Sequence, residues 1–156
     1  MRIRLVVSAM VALMAAASVV SAQKRPDFSG RWVMVTPGEG EGTEMIIKQT
    51  ESLLTNSHDS EGDGHRLEYR LDGSEHRTTM MSHGENIVSL SKAVWEGDRV
   101  RITEITTYSP DRKLDQTMIW SIDEKGQLVI DLTSTMTGRA TEKMRLVHRK
   151  LPLPVN

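Results

Sequence analysis

Cysteine is absent from all 156 residues, which excludes a disulfide scaffold, thiol catalysis, a lipid-modified cysteine anchor and any thiolate metal site. The fold must therefore rest on its core and its hydrogen-bonded backbone. Aromatic residues are scarce: one Phe, two Tyr and three Trp. No Asn-x-Ser/Thr sequon occurs, and no Gly-rich phosphate-cradling motif; the one glycine-dense stretch, "GEGEG", is acidic and would repel a phosphate. A Gly-x-Ser-x-Gly elbow is missing too, and with it the commonest sequence sign of a serine hydrolase. Basic residues hold no excess, at 20 Lys and Arg against 21 Asp and Glu, so neither nucleic acid nor an anionic membrane is expected as a partner.

What is present begins with a leader. Arg2 and Arg4, an apolar run from Leu5 to Val20 and the small residues Val20-Ser21-Ala22 have the three-part form of a secretory signal. The expected division is a signal peptide over 1–22 cleaved after Ala22, one domain over 23–150 and a proline-containing tail over 151–156. Such a protein is periplasmic or secreted, with no membrane anchor after cleavage. The alanine-rich leader and the missing sequon suit a bacterial source.

Beyond the leader no window keeps a helical period for ten residues, whereas period-two alternation rich in Val, Ile, Thr, Tyr and Trp recurs. Strands are expected over Arg31–Thr36, Thr43–Thr50, Ser52–His58, His65–Leu71 and His76–Ser82. Five more follow over Asn86–Trp95, Arg99–Tyr108, Lys113–Ile122, Gln127–Thr135 and Ala140–Arg149. Short Gly- and Asp-containing turns separate them, so sequential antiparallel pairing is expected. The fold class is all-β: one antiparallel up-and-down meander closing into a barrel of about eight to ten strands.

Face assignment gives the functional signal. Leu114, Gln116, Met118, Trp120 and Ile122 share one face; so do Val100, Ile102, Glu104, Thr106 and Tyr108; so do Ala140, Glu142, Met144, Leu146 and His148. Polar groups repeatedly interrupt these apolar faces. In a solid core each would cost a few kcal/mol without a partner; around a cavity they cost little. The expected function is binding of a small hydrophobic or amphipathic ligand inside the barrel, with Tyr69, Glu104, Tyr108, Gln116, Trp120, Glu142 and His148 as the ligand-binding candidates and no catalytic residue assigned.

Three other readings stay open. Glu104, Glu142 or His148 can serve as acid or base in a hydrolase or isomerase. His148 can be the axial ligand of a non-covalent haem, the only cofactor in view. A filled barrel would be a structural or partner-binding module. His58, Asp59, Glu61, Asp63 and His65 flank and fill one acidic loop, but they lack the spacing of an EF-hand or a His-Glu-x-x-His helix, and no metal site is expected.

In order along the chain, "DFSGRW", "YRLDGSEH", "VWEGDRVRI", "WSIDEKGQLVI" and "MRLVHRK" resemble the small secreted lipocalin-like β-barrel proteins of bacteria. The wider lipocalin and fatty-acid-binding group, to which the chain is similar, opens its first strand with Gly-x-Trp and packs an Arg of the last strand over that Trp. The resemblance thus implies a closure device of Gly30 and Trp32 under Arg145 or Arg149, held by a cation–π contact of ~0.5–2 kcal/mol. It also implies apolar ligand binding and transfers no catalytic residue.

Overall fold

The computed structural model describes residues 25–58, 66–82 and 85–152. The expected leader over 1–22, the loop residues Asp59, Glu61, Asp63 and His65, and the end of the tail lie outside them.

Ten strands form, and no helix is found among the described residues: β1 (Gly30–Met34), β2 (Glu44–Gln49), β3 (Leu53–His58), β4 (Arg66–Arg70), β5 (His76–Ser82), β6 (Glu85–Glu96), β7 (Arg99–Ser109), β8 (Arg112–Ile122), β9 (Leu128–Met136) and β10 (Glu142–Lys150). All pair antiparallel in one sheet of order β4-β3-β2-β1-β10-β9-β8-β7-β6-β5. The alternating sequence dictates this, because a strand with one apolar face must bury it, and ten such strands in series do so by curling around a shared interior. The β6–β7 turn shows the local chemistry. Only Gly97 and Asp98 separate the two strands, and Gly97 adopts φ 66°, which a side chain would resist.

Pairing of β1 with β10 joins the two arms of the sheet and makes it a nearly closed barrel, leaving a seam between β4 and β5. At the lower end of that seam the chain crosses to β6: Asp72 bridges Val94, and the Gly73 N–H donates to the Ala93 carbonyl at 3.0 Å. The arms differ in height. Strands β1 to β4 have five or six residues, β6 to β8 have 11 or 12.

Aromatic side chains fill the lower end. Phe28 lies on the segment before β1, fully buried, with its ring edge-on to Trp120 at 6.2 Å and stacked on Trp95 at 6.0 Å. Trp32 is buried beside it, and its indole N–H donates to the Phe28 carbonyl at 2.8 Å. Gln49 clamps the segment from the other side. Its Oε1 accepts from the Phe28 N–H at 2.9 Å, its Nε2 donates to the Pro26 carbonyl at 3.1 Å, and its own backbone N–H donates to Ser29 Oγ at 3.1 Å. The scarce aromatics are thus concentrated where a plug is required.

The closing cation is Lys150, which corrects the expectation of Arg145 or Arg149. Lys150 Nζ lies 5.2 Å from the Trp32 ring centroid. Register is the reason: Trp32 pairs with Lys150 and so shares its face, whereas Arg149 pairs with Val33 on the opposite face. Arg145 is exposed and forms an ion pair with Asp131 across β9 at 3.2 Å. Gly30 keeps its implied place at the start of β1 for a physical reason. A Cβ there would stand 2.6 Å from Lys150 Cε, and its φ of 141° is unfavourable for other residues.

Trp32→Ala is expected to lower the unfolding free energy by about 3–5 kcal/mol, Lys150→Ala by about 0.5–1 kcal/mol, and Arg149→Ala by less than about 0.5 kcal/mol. Urea denaturation of the three variants checks the ranking; a larger loss at Arg149 than at Lys150 would reject Lys150 as the closing cation.

Candidate functional site

Above the aromatic floor the inward positions of the strands line a cavity of about 200 Å³ that is partly open to solvent. On β7 the alternation is strict: Val100, Ile102, Glu104 and Thr106 are buried, while Arg101, Thr103 and Ile105 face solvent. Val100 and Ile102 complete the floor, and Glu104 is the first residue of that face to reach the cavity. On β8, Gln116, Met118 and Trp120 line it; on β10, Leu146 and His148; on β3, Asn56 and His58. Met34, Met45, Leu67, Ile130 and Leu132 give most of the remaining apolar wall.

Glu104 is buried, with a relative exposure of 8%, and anchors a hydrogen-bonded chain. Tyr69 Oη donates to its Oε2 at 3.4 Å, and Thr106 Oγ1 donates to its Oε1 at 3.1 Å. Ser89 Oγ lies 2.8 Å from Thr106 Oγ1. Since the Thr106 hydroxyl has one proton and gives it to Glu104, Ser89 is the donor in that contact. Burial, followed by the charge and hydrogen bond of Glu104, pushes the Tyr69 phenol well above its ordinary value. Tyr69 therefore acts as a hydrogen-bond donor, not as a phenolate.

Other polar atoms on the wall have no partner. Asn56 Oδ1, Trp120 Nε1 and His148 Nδ1 are buried and make no hydrogen bond. Such atoms are rare in folded proteins because each forfeits its hydration. Here three of them border one cavity. His148 is also held neutral. Burial lowers its pKa to about 4; the backbone of Leu128 partly offsets this, and the neighbouring His58 adds to the lowering.

Five of the residues singled out from the sequence, Tyr69, Glu104, Gln116, Trp120 and His148, line this one space. Tyr108 and Glu142 do not. Tyr108 sits at a register shift between Thr107 and Ser109, half-buried, with the Arg112 guanidinium 5.1 Å from its ring centroid. Glu142 is exposed at the start of β10. It shares the face of Leu146 and His148, but it lies beyond the stretch of β10 that pairs with β1. Glu104 and Glu142 are thus not a facing acid–base pair. Gly30 and Trp32 belong to the floor, and Arg145 and Arg149 to the outer surface.

Asn56 and His58 are the polar wall residues that are not among the ligand-binding candidates named from the sequence. Their signal was the period-two series Leu54, Asn56, His58, which puts all three on one face. His58 was considered only with the acidic loop; its ring Nδ1 lies 3.3 Å from the Glu44 carbonyl. Among the described residues no three His, Asp or Glu side chains gather as a metal site.

No family model matches this chain, and no curated protein is similar to it.

Protonation of His148 links the cavity to stability. The folded protein holds this proton less tightly than the unfolded chain, so the contribution of neutral His148 is complete above the ordinary value of 6.5 and is lost as the pH falls from there towards 4. The full loss is on the order of 3 kcal/mol. Urea midpoints measured between pH 7 and 4 are expected to fall more steeply in the wild type than in His148→Gln, and parallel curves would contradict the assignment.

Proposed function

We propose that this protein is an exported β-barrel that binds a small, partly apolar ligand in its interior. One observation carries the reading: a cavity of about 200 Å³ whose wall includes three buried polar atoms without partners, Asn56 Oδ1, Trp120 Nε1 and His148 Nδ1. A ligand that supplies those hydrogen bonds satisfies atoms that the protein leaves unpaired, and the same bonds offset the hydration the ligand gives up on entry. Met34, Met45 and Met118 suit the same role, since flexible thioether side chains adapt to an apolar body.

The volume sets the size class. A volume of about 200 Å³ lies below the ~300–1,000 Å³ of sites for drug-sized molecules. It favours a compact metabolite over a long acyl chain. It likewise disfavours a haem on His148, since the porphyrin is larger than such molecules. The void weighs against a filled, purely structural barrel. Export rests on the leader over 1–22, and the lipocalin-like kinship on the ordered motifs from Asp27 to Lys150.

Protein purified natively from its own host is expected to carry a bound small molecule visible by native mass spectrometry. After release of that molecule, re-addition is expected to change the fluorescence of Trp120, and Trp120→Phe to remove most of the change. Absence of any bound mass, with no fluorescence response across a panel of small amphipathic metabolites, would overturn the reading.

A further inference from the structure

We infer that the cavity selects a small protonated amine that carries a hydrogen-bond acceptor, and that Glu104 is the group that recognises its charge. The inference rests on the ligand-binding reading above and names the chemical class of the ligand.

Glu104 is a buried carboxylate on the cavity wall whose only hydrogen-bond partners among the described residues are two neutral hydroxyls, those of Tyr69 and Thr106. Buried carboxylates are ordinarily paired with a cation, because two neutral donors do not replace the hydration of a full charge. The ion pairs found among the described residues all lie on the outside of the barrel or at its turns, and none involves Glu104. The described wall has neither Lys nor Arg. Among the described residues, no Lys or Arg faces Glu104 on the inside of the barrel.

The rest of the wall fits a cation in that place. His148 is neutral and does not repel one. Asn56 Oδ1 is an unpartnered acceptor for an ammonium N–H, which has three to give. Tyr69 and Trp120 meet edge to face at 6.4 Å on the same wall and offer π-electrons to a positive head. Trp120 Nε1 is a free donor, so the ligand also presents an acceptor, an oxygen on its apolar body. Met118, Ile130 and Leu132 receive that body.

Anions are disfavoured for the same reasons. A carboxylate ligand would enter a largely apolar space to which the described residues bring the Glu104 carboxylate and neither Lys nor Arg, so like-charge repulsion opposes it. Fatty acids and other organic acids, the ligands a resemblance to fatty-acid-binding proteins would suggest, do not match this wall.

Three compounds of similar size and different charge, each with an oxygen acceptor, test the inference: 2-phenoxyethylamine, 2-phenoxyethanol and phenylacetate. They are titrated into the full mature protein, with calorimetry and Trp120 fluorescence as readouts. The amine is expected to bind at least about tenfold more tightly than the alcohol, as befits a hydrogen bond to a charged group, and phenylacetate to bind weakest. Glu104→Gln is expected to abolish the preference for the amine over the alcohol. Should that variant fold poorly, the comparison of the three compounds on the wild type decides the matter alone. Equal binding of amine and alcohol, or tightest binding of phenylacetate, overturns the amine inference and leaves the cavity reading standing. No binding by any of the three overturns the inference, and the search for a native bound mass then decides the cavity reading separately.

Discussion

Pairing of the first strand with the last is the contact on which everything else depends. Without the β1–β10 ladder the sheet has two separate arms, each with an apolar face open to water. With it, Trp32 meets Lys150 and Met34 meets His148, so one short register fixes both the floor and the cavity wall. Because side chains alternate with period two, a slip of one residue would turn His148 outward and bring Arg149 in. The Trp32 plug and the clamp at Gln49 guard against such a slip by tying the segment before β1 to β2.

The interior divides by chemistry along its height. Below, Phe28, Trp32, Trp120 and Leu128 pack with almost no exposure, and this layer supplies most of the hydrophobic stabilisation. Above, Glu104, Thr106, Ser89, Asn56 and His148 occupy positions that a solid core would give to aliphatic side chains. The lower layer tolerates this because it is complete in itself. A protein with only six aromatic residues in total has committed Phe28 and all three tryptophans to the floor or its border, and has left the upper half open.

Much of this was legible in the sequence. Parity alone put Glu104, Gln116 and His148 on inner faces, because period two leaves no third direction for a strand side chain. The ten strands were readable for the same reason. Parity also contained the answer at the closure. Met144, Leu146, His148 and Lys150 share a face, and a preference for arginine obscured the lysine. What parity does not contain is height. Glu142 is in phase with His148, yet it lies beyond the stretch of β10 that pairs with β1. Tyr108 was lost to a register shift at Thr107, and the Tyr69–Glu104 contact joins strands 35 residues apart, a distance no local pattern spans.

The seam between β4 and β5 gives the barrel the mechanics of a split ring. Around the rest of the circumference, widening means breaking a row of backbone hydrogen bonds. At the seam, among the described residues, it means parting one bridge, Asp72 to Val94, of which the Gly73 to Ala93 hydrogen bond is part. The ring therefore yields there first, and Tyr69 on β4 moves with that edge while Glu104 on β7 stays with the other arm. Their hydrogen bond, at 3.4 Å, thus spans the gap like a clasp. A guest that takes over Glu104 would undo the clasp from within, so filling the barrel and loosening its ring become one event.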